Sequence, residues 1–208
     1  TIAKTAVTGG LVFNTLDNAN DTVTLQGANA FTFAGDVTIN AETINLNQSI
    51  DAGATGDVSF NGPVTLGADV TVAGNDVSFS TTIDGAQALT VNTSGGGVTT
   101  FTGVIGSGTA LTAINTNADG SVSIGGNVTT SGDQNFNDAA TIGTSLTLDS
   151  AGGAVNLGST VALGANTLTV SADTTGQVAG VMSGTGGFVN SGDGVVTLAA
   201  ANTYTGNT

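Results

Sequence analysis

The stretch GDVSFNGPVTLGADVTVAGNDVSF, residues 56–79, decides the fold. It contains four short segments of alternating apolar and polar residues, which begin at Val58, Val64, Val70 and Val77. Successive side chains of an extended strand point to opposite sides, so each segment turns its two apolar residues one way and a central Ser or Thr the other. The residues between the segments are mostly Gly, Asn, Asp and Ala, which favour tight corners. The stretch therefore predicts short strands separated by sharp changes of direction.

The same alternation occurs along most of the chain, and no i, i+3, i+4 pattern runs long enough for a helix. Three such segments make a repeat of about 20 residues, which is in the range of stacked repeat proteins. The sequence thus predicts an all-β protein, a β-solenoid of about ten turns and about 50 Å in length at the usual strand spacing. The other alternating segments are Val23–Leu25, Phe31–Phe33, Val37–Ile39, Ile44–Leu46, Leu89–Val91, Val122–Ile124, Leu146–Leu148, Val155–Leu157, Leu168–Val170 and Val196–Leu198.

Longer internal similarity also favours stacked repeats. Residues 56–65 return at 120–129, an offset of 64 with six of ten positions identical. Residues 85–91 return at 164–170, an offset of 79 with five of seven identical. The two offsets differ by 15, which we interpret as extra residues inserted between two matching modules. A solenoid absorbs such an insertion as a loop or a partial turn, whereas a closed barrel or a sandwich would be disrupted.

The composition limits the partners. The chain has one basic residue, Lys4, against fourteen Asp and Glu42, and its formal net charge is −14. Phosphate neutralisation needs Lys or Arg, so the composition argues against nucleic acid and against electrostatic binding to an anionic membrane. No apolar run approaches the roughly 18 residues of a spanning helix, so we expect no membrane insertion by this segment. Cysteine is absent, which excludes disulfides, and the start at Thr1 suggests a processed or excised piece of a longer protein.

Catalysis has few candidate residues. Histidine and cysteine are absent, and the Asp residues are scattered singly beside Gly or Asn, where turns favour them. The nearest carboxylate pairs, Asp17 with Asp21 and Asp133 with Asp138, have no base beside them in the sequence. The Gly clusters at 95–97, 103–108 and 184–187 follow no strand-to-helix pattern and are predicted as turns. We therefore predict no enzyme activity and assign no catalytic, cofactor-binding or metal-binding residue.

Calcium is the strongest competing hypothesis. The segment from Asn115 through Asn117 and Asp119 to Gly120 resembles the start of an EF-hand loop, but Gly126 stands where a bidentate Glu is required. This mismatch favours a solvated corner, although loose calcium binding is compatible with so acidic a surface. The eight Phe residues fall mostly at inward positions of the pattern and are predicted to stack in the core rather than to bind sugars. They are Phe13, Phe31, Phe33, Phe60, Phe79, Phe101, Phe136 and Phe188.

An outward threonine row gives an alternative function, a carbohydrate- or ice-binding solenoid. Thr22 with Thr24 and Thr167 with Thr169 form two Thr-x-Thr elements. Most other segments have a single outward polar residue, which varies among Thr, Ser and Asn. An ice-binding face needs a regular array, so this alternative ranks second.

The repeats resemble the large filamentous-haemagglutinin-like exoproteins of Gram-negative bacteria. The resemblance is most specific in VSFSTTIDGAQALTVNTSGG (77–96), TTFTGVIGSGTALTAINTNADGSVSIGG (99–126) and NVTTSGDQNFNDAATIG (127–143). The end of the chain, residues 183–187 with VVTLAAANTYTGNT (195–208), resembles the autotransporter-associated β-strand repeat. The likeness covers roughly residues 55–208. It implies a right-handed parallel β-helix, secretion across the outer membrane, and a role in adhesion, aggregation or biofilm formation.

These observations together predict one elongated β-solenoid segment over residues 1–208, excised from a much longer repeat protein. Its expected role is that of a structural stalk or adhesive segment of a bacterial surface adhesin, outside the cell and without catalysis. The expected partners are a host or abiotic surface, another copy of the chain, or glycans.

Overall fold

The computed structural model describes residues 10–15 and 20–208, and in this part of the chain every regular element is a β-strand. All the alternating segments named above lie within or overlap strands. The strands in chain order are β1 (Leu11–Asn14), β2 (Thr22–Leu25), β3 (Phe31–Thr32), β4 (Val37–Asn40), β5 (Thr43–Leu46), β6 (Ile50–Asp51), β7 (Val58–Phe60), β8 (Val64–Leu66), β9 (Val70–Gly74), β10 (Val77–Phe79), β11 (Ile83–Asp84), β12 (Ala88–Thr93), β13 (Val98–Phe101), β14 (Ala113–Thr116), β15 (Ser121–Ile124), β16 (Val128–Thr130), β17 (Gln134–Phe136), β18 (Ala139–Ile142), β19 (Leu146–Ser150), β20 (Val155–Leu157), β21 (Val161–Gly164), β22 (Leu168–Ala172), β23 (Gly176–Val178), β24 (Met182–Gly184), β25 (Phe188–Asn190) and β26 (Val196–Leu198).

The strands form three faces of a parallel β-solenoid. Face 1 is a nine-stranded sheet that runs from β1 to β24, and face 3 is a nine-stranded sheet that runs from β3 to β26. Face 2 consists of two four-stranded sheets, β2 to β11 and β16 to β25, which Ile105 joins by single bridges to Ile83 and Val128. All pairings between these strands are parallel. The predicted fold class is therefore confirmed.

The pairing register gives the length of one turn. Val37 pairs with Val58 and Val58 with Val77, steps of 21 and 19 residues. These steps agree with the predicted repeat of about 20. Nine strands on face 1 correspond to about eight turns, so the expected ten is slightly too high. Eight spacings of about 4.8 Å separate β1 from β24 by about 38 Å along the axis.

The core consists of inward columns that run along the axis. On face 1 the rings of Phe60, Phe79 and Phe101 stack, with centroids 4.8 Å apart for the first pair and 5.5 Å for the second. Each of these rings is almost completely buried, as is Phe136 on face 3. The prediction that phenylalanines stack inward is thus confirmed for the core of the solenoid. Each turn covers the apolar side chains of its neighbours, which a single turn could not bury by itself.

Some inward positions are polar, which the sequence did not indicate. Gln134 is fully buried and lies between Ile114 and Val155 in a face 3 column. Its Nε2 donates to the carbonyl oxygens of Val128 at 3.2 Å and Asp149 at 2.7 Å. These bonds tie the corner between faces 2 and 3 across two turns.

Face 2 is interrupted by a short loop between Ile105 and Leu111. Both ends of the loop bridge to β16, at Val128 and Thr130. The Asp84 carboxylate of the preceding turn fixes the loop, because its Oδ1 accepts from the N–H groups of Gly108 at 2.7 Å and Thr109 at 3.0 Å.

The two internal repeats have different structural meanings. The repeat at offset 64 spans three turns, because the register leads from Val58 through Val77 and Thr99 to Val122. The repeat at offset 79 joins different faces, since Leu89 lies on face 3 and Leu168 on face 2. The interpretation of a 15-residue insertion between matching modules is therefore wrong. The same local pattern of residues can form a strand on either face. Similarity between two segments therefore does not show that they occupy equivalent positions in the solenoid.

Glycine allows the corners to stack closely. A Cβ at Gly62 would overlap the carbonyl oxygen of Ala41 in the turn below. The predicted turn at 95–97 is confirmed, with positive φ angles of 63° at Gly95 and 82° at Gly96. These corners keep successive turns in backbone contact around the outside of the core.

Candidate functional site

The outward side of face 1 has an uncharged hydroxyl column. Its members occupy the central outward position of six successive face 1 strands, from β4 to β18. The Ser78 hydroxyl donates to the Ser59 Oγ across one turn at 3.1 Å. The column consists of Thr38, Ser59, Ser78, Thr100, Ser123 and Thr141.

Outward Asn side chains align along the axis in two amide ladders. At the end of the face 1 strands, Asn61 Nδ2 donates to Asn40 Oδ1 at 2.8 Å, and the Ser80 hydroxyl donates to Asn61 Oδ1 at 2.8 Å. On face 3, Asn135 Nδ2 donates to Asn115 Oδ1 at 2.9 Å, and Asn156 Nδ2 donates to Asn135 Oδ1 at 2.8 Å. Each ladder holds its amides in a fixed orientation on the surface.

The corner between faces 3 and 1 has a row of aspartates that cap the backbone of the next turn. Asp36 Oδ1 accepts from the N–H of Asp57 at 3.0 Å, and Asp57 Oδ1 accepts from the N–H of Asp76 at 3.1 Å. Asp76 Oδ1 then accepts from the N–H of Val98 at 2.7 Å. The sequence predicted these residues as corners but did not indicate that their carboxylates join successive turns.

Of the two carboxylate pairs noted in the sequence, only Asp133 and Asp138 lie wholly within the described residues, and the structure does not bring them together. Asp133 and Asp138 lie at opposite ends of β17, where Asp133 accepts from the N–H of Ala154 at 2.9 Å and Asp138 from that of Gly120 at 2.9 Å. Of the other pair, Asp17 lies outside the described residues, and the backbone N–H of Asp21 donates to Glu42 at 3.0 Å. Lys4 also lies outside the described residues.

The segment that resembles an EF-hand has its polar side chains in contacts between turns. Asn115 belongs to the face 3 ladder, and Asn117 donates to the carbonyl oxygen of Thr93 at 2.7 Å. Within residues 10–15 and 20–208, no three His, Cys, Asp or Glu side chains cluster in a way that could hold a metal ion. Asn115 lies on β14, and residues 117–120 form the corner between β14 on face 3 and β15 on face 1.

The carboxyl group of Asp138 is buried at the corner between β17 and β18. It is 2% exposed, and its Oδ2 is buried without a hydrogen-bond partner in the described structure. Burial raises the pKa of Asp138, and repulsion from the Asp119 carboxylate adds to the rise. The neighbouring Thr116 hydroxyl and the Gly120 N–H favour the ionised form and lower the pKa, but burial outweighs them. The sequence gives no sign of this burial, because the pair Asn137-Asp138 is typical of an exposed turn.

The Thr-x-Thr elements do not form a regular array. Thr22 and Thr24 lie on β2 in the first turn, whereas Thr169 lies on β22 near the other end of face 2. The column above Thr24 continues through Asn45 and Thr65 to Asp84, so a carboxylate interrupts the hydroxyl row.

A shallow groove of about 310 Å³ lies where face 1 turns into face 2, over the strands β16, β19 and β22. Uncharged polar residues line it above a single apolar one. The Asn127 Oδ1 accepts from the N–H of Thr147 at 2.9 Å, and the Ser145 Oγ accepts from the N–H of Thr167 at 3.0 Å. The lining residues are Asn127, Ser145, Leu146, Thr147, Thr167 and Thr169.

No family model, no curated protein and no solved structure matches the chain. In the described part of the chain, no helix is long and apolar enough to span a membrane.

Proposed function

We propose that this chain is a structural stalk or adhesive segment of a secreted bacterial surface adhesin. The observation that carries the proposal is the combination on face 1 of a continuous nine-stranded sheet with an outward column of uncharged hydroxyl groups. The place of action is outside the cell, and the role requires no catalysis. The resemblance of residues 55–208 to filamentous-haemagglutinin-like repeats and to the autotransporter-associated repeat supports the same proposal.

The stacking supports the stalk part of the proposal. Backbone hydrogen bonds join each turn to the next, as between Asn61 and Ile39 at 2.8 Å and between Ser80 and Phe60 at 3.0 Å. Side-chain ladders and aspartate caps follow the same axis. A rod in which every turn is bonded to both neighbours resists bending, which suits a spacer between a cell and a surface.

The surface chemistry supports the adhesive part. The net charge of −14 opposes close approach of two copies through their acidic corners. The hydroxyl column of face 1 is free of charged side chains from Thr38 to Thr141 and repeats at the strand spacing of about 4.8 Å. Such a row offers many weak hydrogen bonds at once to a host surface, an abiotic surface, a glycan or a second copy.

Attachment of protein-coated beads tests this proposal. Beads coated with the chain should bind to glass or to one another more than beads coated with an inert protein of similar net charge. The triple variant Thr38→Glu, Thr100→Glu, Thr141→Glu adds three charges to face 1 and should abolish most of the attachment. The matched control Thr24→Glu, Thr65→Glu, Thr129→Glu adds the same charge to face 2 and should retain it.

The stalk part has its own measurement. Small-angle X-ray scattering of the purified chain should give an elongated particle of the same dimensions in EDTA and in calcium. A compact particle would contradict the stalk role, and coated beads that attach no better than the inert control would contradict the adhesive role. Elongation that appears only with calcium would show that the acidic corners need a metal ion.

A further inference from the structure

The groove between faces 1 and 2 presents hydrogen-bond donors whose orientation is fixed from within. The acceptor oxygens of Asn127 and Ser145 already receive backbone N–H groups from the following turn, at 2.9 Å and 3.0 Å. The two side chains are therefore held in place, and the Asn127 NH₂ and the Ser145 hydroxyl proton remain available to a ligand. Fixed donors cost little conformational entropy when a ligand binds.

The rest of the groove complements these donors. The hydroxyls of Thr147, Thr167 and Thr169 act both as donors and as acceptors. Thr147 and Thr169 are paired in register, so their hydroxyls lie one strand spacing apart. Leu146, which is buried beneath them, adds an apolar side chain to the lining. From β16 to β22 the groove extends over about 10 Å, two strand spacings.

Charge decides which ligand class fits. The lining contains no charged residue, and Asp149 lies two residues beyond Thr147 on the same strand. The described residues include no Lys, Arg or His that could pair with an anion. A sulfated or carboxylated ligand would thus meet repulsion without compensation, whereas a neutral polyhydroxylated ligand meets none.

We propose that this groove binds a neutral oligosaccharide. Ring hydroxyls of the sugar accept from Asn127 and Ser145 and exchange hydrogen bonds with the three threonines. The lining has no aromatic ring, so the expected affinity is weak, in the millimolar range. None of the lining residues belongs to the face 1 column, so the inference goes beyond the proposed adhesive role and is tested independently of it.

Nuclear magnetic resonance titration of the whole chain tests the inference. The neutral probes are hexasaccharides of β-1,4-linked glucose, β-1,4-linked mannose and β-1,4-linked N-acetylglucosamine, and the anionic probe is a hexasaccharide of galacturonic acid. At least one neutral probe should shift the amide signals of Thr147, Thr167 and Thr169 and the side-chain NH₂ of Asn127 in a saturable manner. The anionic probe should leave them unchanged.

Variants separate the groove from the rest of the surface. Asn127→Asp keeps the acceptor for the Thr147 N–H but removes the NH₂ donor, and it should weaken binding about threefold to tenfold, the effect of one lost hydrogen bond. Thr169→Val should have a similar effect, whereas Thr100→Val on face 1 should have none. The inference is overturned if no neutral probe shifts the groove signals, if the anionic probe binds equally well, or if Asn127→Asp binds as the unaltered chain does. Shifts that depend on protein concentration alone would also overturn it, in favour of a second copy of the chain.

Discussion

The rings of Phe60 and Phe79 stack in consecutive turns with their planes 16° apart and their centroids 4.8 Å apart. Phe101 continues the stack in the next turn. The ring of Phe79 lies between the rings of Phe60 and Phe101. Removal of the ring should therefore leave a cavity, which can close only if the turns on both sides of Phe79 move. We predict that Phe79→Ala lowers the free energy of unfolding by about 3–5 kcal/mol, measured by chemical denaturation. Ser78→Ala on the outward side of the same strand should change it by less than about 0.5 kcal/mol; equal effects would contradict the column.

Thr99 occupies an inward position of the face 1 column between Val77 and Val122. It is fully buried, and its hydroxyl has no hydrogen-bond partner in the described structure. A valine has nearly the same shape without the polar atom, so Thr99→Val should stabilise the protein by about 1 kcal/mol or more. The adjacent Thr100→Val on the outward side serves as the control and should shift the denaturation midpoint little. Destabilisation by Thr99→Val would show that the hydroxyl has a partner.

Asp138 should make stability depend on pH in the direction opposite to a salt-bridged carboxylate. Its pKa is raised in the folded state, chiefly by burial, so the folded protein binds its proton more tightly than the unfolded chain does. Its stabilising contribution is therefore present in full below the unfolded pKa and is lost as the pH rises through the folded pKa. Relative to Asp138→Asn, which keeps an acceptor for the Gly120 N–H, the unaltered chain should be less stable at about pH 7 than at about pH 3. Chemical denaturation of both proteins at the two pH values measures the difference between their free energies of unfolding. A difference that does not change with pH would refute the prediction.

The loop between Ile105 and Leu111 depends on Asp84, whose Oδ1 accepts two backbone N–H groups. Asp84→Ala should leave the N–H groups of Gly108 and Thr109 without their acceptor. The substitution should therefore lower the free energy of unfolding by about 1 kcal/mol or more and speed hydrogen exchange at both N–H groups. Asp84→Asn retains an acceptor oxygen and should have a smaller effect. Exchange rates that do not change in Asp84→Ala would mean that the loop is held by other contacts.

Most of the fold is predictable from the sequence, because in the simplest strands the alternation of apolar and polar residues matches the alternation of buried and outward side chains. Val37-Thr38-Ile39 and Val58-Ser59-Phe60 have apolar residues at both inward positions, and both are strands with the expected orientation. β17 is different, because inward Gln134 replaces an apolar residue and breaks the pattern. The partners that make its burial tolerable come from residues 128 and 149, on other strands. A reading of local alternation does not reveal such partners.

The candidate site was less predictable for the same reason. The Thr-x-Thr pattern pointed to Thr167 and Thr169, and both line the groove, but Thr22 and Thr24 lie far along the axis. Asn127 begins an Asn-x-Thr sequence that does not point to a groove, and Ser145 belongs to no motif. The orientation of these two side chains depends on which backbone N–H groups of the next turn lie beside them. The register between the turns determines which N–H groups those are. The length of each corner fixes the register, and corner lengths vary from turn to turn.

The three-turn repeat has a consequence for how such a chain changes its length. Val58 and Val122 occupy the same inward position three turns apart, and the residues between them form whole turns. Duplication or deletion of that 64-residue block in the gene would return the chain to the same face with the same inward column. The new junction would meet a surface like the one that it replaced, because the turns of a solenoid pack mainly against their neighbours. Unequal recombination at this repeat would therefore lengthen or shorten the solenoid in whole turns while the remaining turns keep their packing.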